Sequence, residues 1–391
     1  MNASTKITLT SGFFLNFAGF AVFSFLAVYL SNSIGLTPWE TGTVLSLLTL
    51  SSRALPLFTG IMGDQLGYKR MMGIGLFLRG IGFVVLAYAP SFLEVSVAVL
   101  LIGIGAACYE PAALAFFSQE ENPSVRKKSF IYLNLALNGG AIAGPLLGGF
   151  LVITDPSLPF LLSASIFFVL FIVQSIYLPK HTKARGSGTG AIFSGIRHIL
   201  NNKRFLFFCF SMVFFWFMYA QLTVALPLHM FALSNKEHLV SLVITVNALS
   251  GLIFMAAFNR IYMKTSALFL SSIGTLIMAL SFLCIGFFPN PIWLIVCIVG
   301  FTVGETLVLP SADISVSDFA DESYSGAYYG FSDLSFAVGA TLGNFSGAFL
   351  LNAYKPESMI PWVTFACVGL FGVILLGGLY QLQKRTVPAL K

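Results

Sequence analysis

The sequence predicts an all-α integral membrane protein of twelve transmembrane helices in two six-helix bundles. Three observations predict it: scarcity of charge, recurrence of long apolar runs, and lopsided placement of Lys and Arg. Only 9% of the 391 residues are charged and 57% are hydrophobic, whereas a water-facing domain carries about 25% charged residues. A chain this poor in charge cannot cover a globular surface, so lipid must solvate most of it.

A spanning helix needs about 20 mainly apolar residues. Such runs fall near 7–32, 38–62, 71–89, 93–118, 129–153 and 159–179, and again near 205–231, 239–259, 266–288, 292–317, 326–352 and 360–382. The first run, Ile7 to Tyr29, exceeds a signal-peptide core and is read as a span. An even number of spans puts both termini on one side. With that side cytoplasmic, the inner segments hold Lys6, Lys69, Arg70, Arg126, Lys127, Lys128, Arg197, Lys203, Arg204, Arg260, Lys264, Lys384 and Arg385, among others. The outer loops hold only Lys236 and Lys355. This is the positive-inside pattern of a cell-membrane protein. It accounts for the net charge of +6 without nucleic acid as a partner.

The longest polar stretch divides the chain. Residues 1–179 form an N-terminal six-helix bundle, 180–204 a cytoplasmic linker, and 205–391 a C-terminal bundle. The linker contains a Gly/Ser-rich flexible segment after Arg185, and Ile192–Leu200 is expected to form a short amphipathic surface helix. The halves echo one another. Span four reads Gly105-Ala-Ala-Cys-Tyr-Glu110-Pro111, and span ten reads Gly304-Glu305-Thr-Leu-Val-Leu-Pro310. Spans five and eleven match in small residues around Gly140–Gly144 and Gly339–Gly343. Weak repetition in paired, interrupted helices is the mark of a two-bundle transporter whose site lies where the halves meet near the midplane.

After span two comes Gly60-Ile-Met-Gly63-Asp64-Gln-Leu-Gly67-Tyr-Lys69-Arg70. Its glycines permit a tight reversal, and Asp64 can meet a helix N-terminus or a basic partner. The segment closely resembles the signature loop of the major facilitator superfamily. The resemblance implies that Gly63, Asp64, Gly67, Lys69 and Arg70 form a conformational switch that latches one state of alternating access. Span five carries Gly140-Ala-Ile-Ala-Gly144-Pro145-Leu-Leu-Gly148-Gly149, which looks like the span-five motif of that superfamily's drug:proton antiporters. Small residues allow close helix packing, Pro145 removes a backbone donor, and the resemblance implies export. In one respect the sequence departs from that group: Val99 and its neighbours precede Gly103-Ile-Gly105, where an arginine is usual. Any proton coupling must then use other residues.

Ionisable side chains at membrane depth are costly, so each is a functional candidate. The first half offers Arg53, Arg79 and Glu110, expected to form an ion-pair network; the second offers Glu305, Asp313 and Asp333, with no basic residue in those spans. A carboxylate withdrawn from water without a cationic neighbour holds its proton more tightly, which suits a proton carrier. Asp318, Asp321 and Glu322 are expected at a wet cytoplasmic rim. Asn16, Tyr109, Asn134, Asn138, Tyr219, Gln221 and Asn247 are candidates to line a mainly apolar cavity. The aromatic run Phe214 to Phe217 could face either a solute or lipid.

Cys108, Cys209, Cys284, Cys297 and Cys367 all lie in apolar runs without metal-ligand spacing. No nucleophile–base pair or metal cluster is readable, so neither an enzyme nor a cofactor is expected. The expected partners are a small-molecule substrate, protons and the bilayer, with the chain acting as a monomer. The reading is proton-coupled efflux of amphipathic or cationic compounds. Export of a dedicated metabolite such as a siderophore, with Arg53 and Arg79 as an anion site, and proton-coupled nutrient uptake are the alternatives.

Overall fold

The structure is a computed structural model that describes residues 3–23, 26, 29–30, 33–179, 190–234 and 237–386. Every regular element among them is a helix. The chain forms two compact units: Met1–Ile199 together with Ala320–Asp333, and Leu200–Phe319 together with Leu334–Lys391.

Unit 1 contains α1 (Ala3–Phe23), α2 (Pro38–Ala54), α3 (Pro56–Leu66), α4 (Tyr68–Tyr88), α5 (Phe92–Ser118), α6 (Pro123–Thr154), α7 (Leu158–Tyr177) and most of α8 (Gly190–Asn201). Local chemistry sets the ends of these helices. A capping box between Thr37 and Glu40 starts α2, with Pro38 in its first turn. Asn122 accepts from the Ser124 and Val125 amides to start α6. Pro56 lacks the N–H that would carry α2 onward, and the chain bends by 45° into α3. The sequence reads 38–62 as one run; the structure breaks it there. Gly67 separates α3 from α4 at φ 92°, a conformation that favours glycine. The short helix expected over 192–200 is seen as α8, while residues 180–189 of the linker lie outside the described residues.

Unit 2 contains α9 (Lys203–Ala220), α10 (Ala225–Ser234), α11 (Glu237–Ala257), α12 (Asn259–Lys264), α13 (Ala267–Ile285), α14 (Pro291–Phe319) and α16 (Ile360–Thr386). Helix α15 (Ser325–Ala353) begins in unit 1 and continues in unit 2.

The packing within each unit repeats. In unit 1, α5 packs on α4 and α2, and α7 on α4 and α1; in unit 2, α14 packs on α13 and α11, and α16 on α13 and α9. Glycines set the closest crossings. A Cβ at Gly75 would reach the Gly105 carbonyl, and one at Gly274 the Gly304 carbonyl, each at 2.5 Å. Gly140, Gly144 and Gly148 of α6 lie against the α1 carbonyls of Phe13, Phe17 and Ala21. Gly339 and Gly343 of α15 lie likewise against Val213 and Phe217 of α9. Helix backbones can approach this closely only where no side chain intervenes.

Among the described residues, ten helices are long and apolar enough to cross a membrane, and the bent α2–α3 pair would make eleven. The run expected near 239–259 contributes a shorter apolar helix, Leu242–Ala257. The count of twelve therefore exceeds what the described helices meet by length and composition.

Candidate functional site

The intramembrane charges of unit 1 converge. Glu110 faces both arginines, with Arg53 Nη1 at 3.7 Å from Oε2 and Arg79 Nη1 at 3.9 Å from Oε1. Arg79 is buried, whereas the Arg53 and Glu110 side chains are about 40% exposed. The Arg79 guanidinium lies over the Phe167 ring at 4.7 Å, and its stem passes Gly105, where a Cβ would come within 2.7 Å of Cγ. The glycine that repeats between spans four and ten thus leaves room for a buried arginine in unit 1.

The polar candidates around this cluster have different surroundings. Tyr109 is buried and its hydroxyl accepts from Gln174 Nε2 at 2.9 Å. Asn16 Nδ2 donates to the Leu137 carbonyl at 3.0 Å, tying α1 to α6. Asn134 and Asn138 donate back along α6 to the carbonyls of Phe130 and Asn134. The described residues of α6 continue through Gly144 and Pro145 as one helix.

The Gly63–Arg70 segment is anchored on the first turn of α15, which belongs to the same unit. Asp64 accepts from the Gly326 amide at 2.7 Å, the Ala327 amide at 2.9 Å and the Tyr68 hydroxyl at 2.6 Å. Gly63 accepts the Gly67 amide. Lys69 Nζ donates to the Leu178 carbonyl at 2.5 Å, closing the end of α7, while Arg70 is exposed. The turn leading into α15 is also held by α8: His198 stacks on Tyr324 with centroids 4.6 Å apart, and its Nε2 is 4.0 Å from Asp321 Oδ2.

In unit 2, Glu305 is only 7% exposed, on α14 midway along its length. Among the described residues its polar partner is Asn247 of α11, whose Nδ2 donates to Oε2 at 2.5 Å and to Thr302 Oγ1 at 3.0 Å. Asp313 is half-buried on α14, and Asp333, on the part of α15 that belongs to unit 1, is half-buried too. Gln221 is fully buried and donates to the Gly343 carbonyl at 2.9 Å. Tyr219 packs on Trp216, which in turn packs on Phe336. Phe214 packs on Phe371, and Phe215 and Phe217 are buried.

Sequence reasoning passes over Tyr68, Gln174, Thr302 and His198. Signals exist for three of them: Tyr68 is four residues from Asp64, Thr302 three from Glu305, and Gln174 is the one amide in its apolar run. For His198 the sequence offers none, because its partners lie more than a hundred residues away.

Long apolar helices in two units whose internal packing repeats, with ionisable side chains at membrane depth, are the build of a multi-pass membrane transporter. The Major Facilitator Superfamily model matches residues 9–344 and 222–390, and the chain belongs to that family. Multidrug resistance protein MdtH of Blochmanniella pennsylvanica is 25% identical over 366 residues, covering 92% of this chain and 88% of that protein. MdtH of Salmonella typhimurium is 25% identical over 372 residues, with 94% and 91% covered. Two solved structures share the fold. The human organic anion transporter MFSD10 has a TM-score of 0.72 at 16% identity, covering 96% of this chain and 100% of its own. The Escherichia coli fucose:proton symporter FucP has a TM-score of 0.78 at 14% identity, with 96% and 98% covered.

Proposed function

We propose that the chain is a proton-coupled exporter of small amphipathic or cationic compounds, placed in the cell membrane as a monomer with both termini cytoplasmic. The observation that carries this reading is Glu305: a carboxylate withdrawn from water on a spanning helix, with an amide and no basic side chain as its partner among the described residues. Such a group can hold a proton facing one side and release it facing the other, or exchange it for a cationic substrate. Asp333, Asp313 and Glu110 are secondary proton or substrate groups. Asp64 and Arg70 govern the switch, with the Asp64 contact to α15 made in one state and broken in the other. The span-five string at Gly140–Gly149 and the name carried by the MdtH relatives both favour export of drugs.

Inverted vesicles under an imposed pH gradient test the proposal. Lipophilic cations are expected to dissipate the gradient in vesicles holding the wild-type protein and not in those holding Glu305→Gln. A panel that leaves the gradient undisturbed would sink the multidrug reading.

A second reading rests on the two guanidiniums facing a single carboxylate at Glu110. Guanidinium groups pair well with carboxylates, which suits an anionic metabolite such as a siderophore. Competition by an anionic chelator, lost on Arg53→Gln, would favour it.

A further inference from the structure

Away from the charge cluster, unit 1 has an open cleft of about 470 Å³ between α1 and α7, within the range of about 300–1,000 Å³ for a small-molecule site. Ile7, Phe14, Ile166, Val169, Leu170 and Val173 make its walls apolar. Three hydroxyls also border it, and each donates back to its own helix. Thr10 donates to the Lys6 carbonyl at 3.0 Å, Ser11 to Ile7 at 2.8 Å and Ser165 to Leu161 at 2.8 Å. The one charged side chain on the wall is Lys6, which stands exposed at one end.

The two helices run antiparallel. Beyond the deep end of the cleft, Ser163 of α7 donates to the Ala18 carbonyl of α1 at 2.8 Å. Nearer Lys6, Tyr109 bonds both Ser11 of α1 and Gln174 of α7. The cleft therefore runs from Lys6, in the first turn of α1, to Phe14, about 12 Å of helix. The hydrocarbon of one leaflet is about 15 Å deep, so the cleft reaches from the headgroup level most of the way to the midplane. It also opens sideways to lipid. Val169 on its lip shares a face of α7 with Ile172 and Ile176, and all three are more than half exposed on a spanning helix.

We propose that this cleft holds one acyl chain of an anionic phospholipid, taken from the leaflet on the side of the N-terminus, with the Lys6 ammonium on its phosphate. Charge selects the occupant. Neither α1 nor α7 carries an acidic residue, and among the described residues Lys6 has no ion-pair partner. A cationic amphiphile is repelled at the mouth, whereas an anionic headgroup is attracted there. The chain fills apolar space whose lining would otherwise lack contact partners. Bound in this way, the lipid braces two helices that back onto the Glu110 cluster: Gln174 holds Tyr109, and Phe167 lies under Arg79. The inference stands apart from the reading of Glu305 as a proton carrier.

Fluorescence quenching of the whole protein in bilayers tests the inference. Phe14→Trp places an indole at the deep end, and the wild-type protein supplies the background of its four tryptophans. Phosphatidylglycerol with brominated chains is expected to quench the added indole about five-fold more effectively than brominated phosphatidylcholine at equal mole fraction, the worth of one lysine at an anionic surface. Lys6→Gln should abolish that preference and Lys6→Arg should keep it. Lys264→Gln removes a lysine from α12 of unit 2 instead and should leave the preference intact. Equal quenching by the two lipids, a preference that survives Lys6→Gln, or one lost equally in Lys264→Gln would overturn the inference. So would release of the quenching by the lipophilic cation tetraphenylphosphonium, which would assign the cleft to a transported solute. Native mass spectrometry on protein with Phe14 intact gives a second measure. Lys6→Gln should retain less phosphatidylglycerol than wild type, and equal retention would count against the site.

Discussion

Asp64 caps a helix that begins more than 250 residues further along the chain: its Oδ1 accepts the Gly326 amide, 262 positions away, at 2.7 Å. Oδ2 takes the next amide, Ala327, at 2.9 Å, and the Tyr68 hydroxyl completes the set. The arrangement joins a charged acceptor to the unsatisfied donors and positive dipole end of α15. Removing it leaves two amides without a partner.

Asp64→Ala is therefore expected to cost about 1–3 kcal/mol, the range for leaving a buried donor without its acceptor. Asp64→Asn keeps one acceptor oxygen and should fall between wild type and Asp64→Ala. Limited proteolysis of the turn before α15 checks this, because a loosened first turn is cut faster. Equal cleavage of wild type and Asp64→Ala would refute the cap.

The glycines beneath this contact make a sharper test. A Cβ at Gly60 would overlap the Gly326 carbonyl, and one at Gly326 would meet both the Gly60 carbonyl and Asp64. The carbonyls are backbone and cannot swing aside. A methyl added at Gly149 would meet nothing within 4 Å, so this position serves as the control. Gly60→Ala should lower thermal stability by about 1–3 kcal/mol, as overpacking does, while Gly149→Ala should be neutral or stabilising by about 0.5–1 kcal/mol, from helix propensity. Thermal shift in detergent would show it, and similar losses in both would count against the close approach.

How much of this is legible in the sequence depends on the range over which each feature is determined. Apolar runs, caps and the Gly–Asp–Gly loop are local, and the helices follow them. Glu305 stands out because a carboxylate in an apolar run has few explanations. Asn247 does not, since an amide on α11 could as well face a cavity, and only packing against α14 brings it to Glu305. The 45° break at Pro56 is obscured for the opposite reason: the apolar run continues across it, so hydropathy sees one span where the backbone makes two helices. Gln221 shows the same limit, for its burial is set by the glycines of α15 rather than by its own neighbours in sequence.

The arginine pair on Glu110 raises the question of which partner matters for folding, and exposure decides it. Arg53 and Glu110 are each about 40% exposed, so the ionic attraction between them is screened and is worth about 0–1 kcal/mol. Arg79 is 7% exposed and stacked on Phe167, so its charge depends on Glu110 for compensation. Removing one partner of a buried pair costs about 3–5 kcal/mol, because the other charge remains uncompensated. Glu110→Gln is accordingly expected to destabilise by an amount near the low end of that range, given its own partial exposure, and Arg53→Gln by far less. The combination Arg79→Met with Glu110→Gln should recover part of the loss, since it removes the stranded charge along with its partner. Strictly additive losses in the double variant would show that Arg79 is held by packing on Phe167 and Gly105 alone. Transport by the recovered double variant then separates the two roles the geometry allows: retained activity makes the pair structural, and lost activity in a stable protein makes it part of the transport machinery.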